Sequence, residues 1–237
     1  MCGRYSLTLP PEAVRQWFAY RGHPNVPARY NIAPTQEVPI IRSTAAEPEM
    51  VIARWGLVPS WAKEIGTKPL INARAEDIEN RPSFRAAFHE RRCLVPADGF
   101  YEWQIAGAGP KIPYRICRPD RSLFAMAGIY ELWREPATKH WLISFAILTT
   151  GANKLLAPIH DRMPVILDDA DRVAWIAPGA AAADLKRLLR PAAEGTLTAY
   201  AISKRVNQVA NDDAAIIEPA SSQAGPTSAA GKQMTLF

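Results

Sequence analysis

LFAMAGIYEL at residues 123–132 and WLISFAILTT at residues 141–150 decide the fold. Both runs are dense in β-branched and aromatic side chains, which suit a buried pleated surface, so both predict strands. The run Trp141 to Thr150 is the longest apolar candidate in the chain. It falls well short of the roughly 18 residues a membrane span needs. Working outward, Glu37–Ile41, Met50–Trp55, Arg92–Val95, Ile112–Ile116, Val165–Leu167 and Leu197–Ile202 carry the same signature. Helical signals are fewer. Pro10-Pro11 precedes Val14, Trp17 and Phe18 at helical spacing, and Ser83 stands before Phe84, Ala87 and Phe88 as a predicted cap. Asp168–Ile176 and Asp184–Arg190 complete the set. Strands and helices do not alternate regularly, which argues against a doubly wound sheet. The expected fold is α+β: one compact domain over residues 1–218, with a largely antiparallel, β-rich core and short flanking helices.

The 237 residues carry 28 Lys and Arg against 23 Asp and Glu, a net charge of +5. This mild basicity permits a polyanionic partner without requiring one. The three cysteines, Cys2, Cys93 and Cys117, are odd in number and widely spaced. They predict neither a disulfide framework nor a zinc site, and they suit a reducing cytoplasm. No metal, cofactor or membrane is expected. The start, MCGRYSLTLPPE, lacks the apolar stretch of a signal peptide.

Cys2 becomes the first residue if Met1 is removed. Its amine, with a pKa of about 7.7–8.0, and its thiol, near about 8.5, would then sit on adjacent carbons. Such a 1,2-aminothiol condenses with an aldehyde to an imine, which the sulfur closes into a five-membered thiazolidine. Hydroxyl analogues close far less stably. A cysteine here also fits an N-terminal nucleophile hydrolase, or an incidental residue.

Seven motifs in order narrow the choice: MCGRY (1–5), YNIAPTQ (30–36), RWGLVPSWA (54–62), NARAE (72–76), CLVPADGFYEW (93–103), AGIYELW (127–133) and PIHDRMPVIL (158–167). Together they closely resemble the SRAP family, the SOS-response-associated peptidase proteins, over residues 2 to about 215. The resemblance implies a protein that recognises abasic sites in single-stranded DNA, crosslinks to them through an N-terminal cysteine and shields them. It also implies peptidase-type removal of the protein's own Met1, and raises lyase-like reversal of the adduct. Four catalytic positions transfer with their motifs: Cys2 as nucleophile, Asn72 lining the pocket, and Glu102 and His160 for proton transfer. The alternatives for the last three are a turn cap, a solvent-facing strand glutamate and a hydrogen-bonded loop histidine.

Arg4, Arg74 and Arg162 each lie within two residues of a catalytic position. They are candidate clamps for the phosphates flanking the lesion. Arg81 and Arg85 on a helix face are further candidates, or simply solvated charges. Trp61, beside Pro59, either stacks on bases next to the lesion or packs in the core. After Glu218 the composition turns to Pro, Ala, Ser, Gly and Thr, predicting a flexible tail over residues 219–237. It ends in Gln233-Met234-Thr235-Leu236-Phe237, which resembles the bacterial sliding-clamp-binding motif through Gln233, Leu236 and Phe237. The expected protein is a cytoplasmic, nucleoid-associated monomer. Its rivals are an N-terminal-cysteine amidohydrolase and a non-covalent single-stranded DNA-binding module.

Overall fold

The computed structural model describes residues 2–21, 26–44, 47–105, 107 and 109–220. The two deciding runs become β9 (Phe124–Arg134) and β10 (Trp141–Gly151), paired antiparallel from Trp141↔Arg134 to Ile147↔Gly128. Around them lie β3 (Glu37–Arg42), β4 (Glu49–Trp55) and β6 (Arg92–Ala97). Pairings run β10–β4–β3–β6–β9 and return to β10, so these five strands close on themselves. Closure leaves no bare edge in this circuit. Most pairings are antiparallel; β10 pairs in parallel with β4 and with the short β5 (Asn72–Arg74). The same sheet takes in β11 (Arg162–Pro164) and β12 (Ile166–Leu167).

A second sheet stacks in the order β13 (Thr198–Ala201), β8 (Ile112–Cys117), β7 (Gly99–Gln104), β1 (Tyr5–Leu7) and β2 (Arg29–Ile32). The chain passes from one sheet to the other between β6 and β7, through Asp98. This carboxylate is 1% exposed and fully used. It accepts from Ser6 Oγ at 2.6 Å, from the Thr8 amide and hydroxyl at 2.5 and 2.6 Å, and from Arg115 at 3.1 Å. A buried charge persists only when so satisfied, so Asp98 fixes the corner that sets β7 against β1.

The helices cover the closed circuit. α1 (Pro11–Phe18) buries Val14 and Phe18 and ends where Ala19 adopts a left-handed φ of 50°. α2 (Pro82–Glu90) buries Phe84, Ala87 and Phe88, as the spacing predicts. Its cap differs from expectation: Pro82 opens the helix, Arg81 holds the cap position and Ser83 lies inside. Proline supplies the helical φ and needs no amide partner there, so the start shifts forward of the serine. α3 (Asp169–Ile176) is capped by Asp168, which accepts from the Asp171 amide at 2.8 Å. α4 (Ala182–Leu188) follows. Arg92, 6% exposed, ties α2 and α3 together by donating to the carbonyls of Phe88, His89, Trp175 and Ala177. It satisfies helix C-terminal carbonyls that would otherwise be buried without donors.

β1, β2, β5, β7 and β11 are strands beyond those expected. The tryptophan that opens β10 is 66% exposed, while Phe145 to Leu148 are fully buried. Cys93 and Cys117 are free and buried in β6 and β8. The described chain reaches residue 220, with Pro219 bridged to Ile202. Gln233, Leu236 and Phe237 lie outside the described residues. Among the described residues no helix is long and apolar enough to cross a membrane.

Candidate functional site

The two sheets bring four separated motifs to one place. β1 pairs with β7 through Tyr5↔Phe100, and the Tyr101 amide donates to the Arg4 carbonyl at 3.0 Å. This register carries the residues before Tyr5 past Glu102. From the other sheet, β5 supplies Asn72, whose Nδ2 donates to the Cys2 carbonyl at 2.8 Å. The strand setting of Asn72, paired with Ile147, excludes the turn-cap alternative. Its Oδ1 is buried and accepts no hydrogen bond from the described residues.

Glu102 is 2% exposed, which overturns the solvent-facing alternative. Burial pushes its carboxyl up to about 7. The His160 ring comes within 3.9 Å, Nε2 to Glu102 Oε2. Its Nδ1 accepts from the Arg162 amide at 3.0 Å and lies 2.9 Å from Asp161 Oδ1. Burial holds His160 below the usual histidine range. In the neutral ring, an amide donor at Nδ1 places the proton on Nε2, the nitrogen that faces Glu102. Asp161 is 87% exposed, so water screens its pull toward the charged ring.

Cys2 is fully buried, and burial, with Glu102 as the next cause, drives its thiol well above the ordinary value. While its nitrogen is a peptide nitrogen behind Met1, the sulfur is therefore a thiol rather than a thiolate.

The expected phosphate contacts divide into two groups. Arg4 is bound within the protein: its Nη1 donates to Asn31 Oδ1 and to the Val206 carbonyl, both at 2.7 Å. Its guanidinium also lies 5.9 Å from the centre of the Trp103 ring. Arg162 forks onto Glu76 at 3.0 and 2.9 Å and donates to the Thr149 carbonyl at 2.6 Å. Arg74 at the end of β5 is exposed, as are Arg81 and Arg85. Trp61 is 67% exposed, so it is not a core residue. With Arg54, Pro59, Lys68 and Ser83 it lines a surface cleft.

Three contributors escaped the sequence reading. Glu76 and Thr149 hold Arg162, and Gln104 donates from Nε2 to the Pro158 carbonyl at 2.9 Å. For Gln104 a signal existed: it stands two residues after Glu102, which on a strand is the same face. Among the described residues no group of three or more His, Cys, Asp or Glu side chains is arranged to hold a metal ion.

The SOS response associated peptidase (SRAP) family signature matches residues 1–209. The abasic site processing protein YoqW of Bacillus subtilis is 39% identical over 228 residues, spanning 92% of this chain and 99% of its own. The abasic site processing protein HMCES of Pongo abelii is 32% identical, spanning 92% of this chain and 76% of its own. A crystal structure of a protein from Bacteroides thetaiotaomicron superposes with a TM-score of 0.84 at 30% identity, covering 92% of this chain and 99% of the other. With seven motifs, the fold and these relatives in agreement, the chain belongs to the SRAP family.

Proposed function

We propose that this protein processes abasic sites in single-stranded DNA by forming a thiazolidine crosslink through Cys2 once Met1 has been removed. The observation that carries the reading is the convergence of Cys2, Asn72, Glu102 and His160 from four distant motifs. The hydrogen bond from Asn72 to Cys2 and the Glu102–His160 approach support it.

Abasic deoxyribose is mainly a closed hemiacetal and must open to expose its aldehyde. A protonated Glu102 carboxyl suits this step, since one oxygen gives a proton to the ring oxygen while the other takes the anomeric hydroxyl proton. With its pKa near about 7, both forms of the carboxyl are populated at neutral pH. His160, with its proton on Nε2, hydrogen-bonds the oxygen on which charge develops. The free amine of Cys2 then attacks C1 of the sugar and passes one proton to the carbinol oxygen; water leaves with a proton from Glu102, which takes back the second amine proton from the iminium nitrogen. The sulfur adds to the imine carbon, and the thiol proton passes to the imine nitrogen. Asn72 holds the Cys2 carbonyl and so aims both nucleophiles. Removal of Met1 by the protein itself, and reversal of the adduct by the same acid–base pair, are extensions of this chemistry.

Arg74, with Arg81 and Arg85, supplies exposed charge for phosphates, and Trp61 offers a ring for a neighbouring base. Arg4 and Arg162 shape the pocket walls. The C-terminal Gln233-Met234-Thr235-Leu236-Phe237 would tether the protein to the replication clamp. Deleting residues 233–237 would abolish clamp pull-down and spare crosslinking.

The test is a single-stranded oligonucleotide with one abasic site, incubated with protein and run on a denaturing gel. A shifted band that disappears in Cys2→Ala supports the crosslink. Equal bands in both proteins would rule it out, and peptide turnover without a band would favour an amidohydrolase.

A further inference from the structure

The geometry points to Gln104 as a positioning residue that latches the His160-bearing loop to the strand carrying Glu102. The inference rests on the acid–base pairing proposed above.

His160 lies on no regular element. It is the next-to-last residue of a turn segment, residues 152–161, that leaves β10 and returns as β11. The base of this segment is closed by the Ala152 amide donating to the Asp161 carbonyl at 3.0 Å. Leu156, fully buried, plugs it into the core. The amides of Ile159 and His160 both donate to the Leu156 carbonyl, at 2.7 and 2.9 Å. These bonds give the segment its shape, and its far side is tied to the loop after α4, where Asn153 Nδ2 donates to the Ala192 carbonyl at 3.1 Å and the Lys154 amide to Glu194 at 3.0 Å. None fixes its distance from β7, which belongs to the other sheet. Gln104 does that: its Nε2 reaches the Pro158 carbonyl at 2.9 Å, across 54 positions of sequence.

On β7, Glu102 and Gln104 point to the same side, opposite Tyr114 and Ile112 of β8. One face of one strand therefore presents the carboxylate and, one strand repeat further on, the amide that holds the loop of its partner. A loop left to itself samples positions well beyond the tolerance of proton transfer. The 3.9 Å approach of His160 to Glu102 spans the two sheets, and Gln104 links them at this point. The side chain is half-exposed, so it can be changed without opening the core. Among the described residues the charged groups around the His160 ring are Glu102 from β7, Asp161 from its own segment and Lys111 at the foot of β8, and the positive charge of the chain's amino terminus also acts on it.

Gln104→Met keeps the length and removes the donor; Gln104→His returns a neutral N–H at similar reach above pH 7. Two readouts are taken on the full chain. The first is the proton titration of the His160 Cε1–H signal by nuclear magnetic resonance without DNA, assigned by its loss in His160→Gln. The second is the crosslinking rate on abasic single-stranded DNA at pH 7.5. In Gln104→Met the His160 midpoint is expected to rise toward the ordinary histidine value as the ring leaves its half-buried seat. The rate is expected to fall about tenfold, and Gln104→His restores it. An unchanged midpoint in Gln104→Met, or a slow Gln104→Met that Gln104→His does not restore, would overturn the latch. If wild-type protein forms no crosslink, the functional reading fails, and the titration still decides the latch.

Discussion

Asn72 and Cys2 are joined by a single hydrogen bond, Nδ2 to carbonyl oxygen at 2.8 Å, across 70 positions and between the two sheets. It restrains the residue that, in the proposed crosslink, presents both an amine and a sulfur to one carbon. Asn72→Asp replaces the donor with a second acceptor against that carbonyl. Losing a buried hydrogen bond and adding repulsion costs on the order of 1.5–3 kcal/mol. Crosslinking should slow by at least about tenfold, while Asn72→Asp binds undamaged single-stranded DNA as wild type does. Gel time courses and fluorescence anisotropy check the two halves separately.

Glu102 makes stability depend on pH in a definite direction. Its folded value, about 7, lies above its ordinary value of 4.5. Between these values the folded chain keeps a proton that the unfolded chain releases, so this contribution to stability is lost as pH rises through 7. Glu102→Gln stays neutral throughout. The variant should gain on wild type between pH 5 and pH 8 by up to about 3 kcal/mol. Urea melts at the two pH values measure the difference, and an advantage that shrinks with rising pH would contradict the assignment.

Arg162 and Arg74 should separate in their response to salt. Arg162 is spent on Glu76 and Thr149, and that bonding holds the Glu76 carboxyl below its usual range. Arg162→Ala should cost stability, about 1–3 kcal/mol, and leave the salt slope of DNA binding unchanged. Arg74→Ala should leave thermal stability alone and reduce the slope by about one. Binding isotherms from 50 to about 300 mM salt distinguish them.

Trp61 is exposed enough to be removed without structural cost. Trp61→Ala should change the unfolding free energy by less than about 0.5 kcal/mol. The same change should weaken single-stranded DNA binding by about 1–3 kcal/mol if the ring stacks on a base. Equal affinity in the two proteins would remove the stacking role.

The long strands were legible because their side chains advertise a buried sheet, and β9 and β10 differ from expectation only at their ends. The missed strands had little to show. β1 and β5 are three residues each, too short for any period to register. β7 mixes Gly99, Glu102 and Gln104 into its aromatic residues, so its polar members hid a strand whose first four residues are buried. The four candidate site residues, Cys2, Asn72, Glu102 and His160, could be picked out by their motifs, whereas their setting could not. Whether Glu102 faces water or the core depends on residues brought in from β1, far away in sequence. The fate of Arg4 and Arg162 was equally hidden, since the groups that occupy them, Val206 and Glu76, lie 202 and 86 positions away. Nothing local distinguishes an arginine awaiting a phosphate from one already engaged.

The division of the site between two sheets has a consequence for the order in which a newly made chain becomes reactive. Translation delivers the sulfur first and the imidazole late, with Asn72 and Glu102 between them. The carbonyl of Cys2 has no fixed partner until β5 docks beside β10, and Glu102 has no histidine beside it until the segment after β10 closes. A growing or half-folded chain thus holds Cys2 apart from Asn72, Glu102 and His160. Docking of β5 and closure of the segment after β10 are therefore the steps that complete the four-residue cluster, and the imidazole comes last.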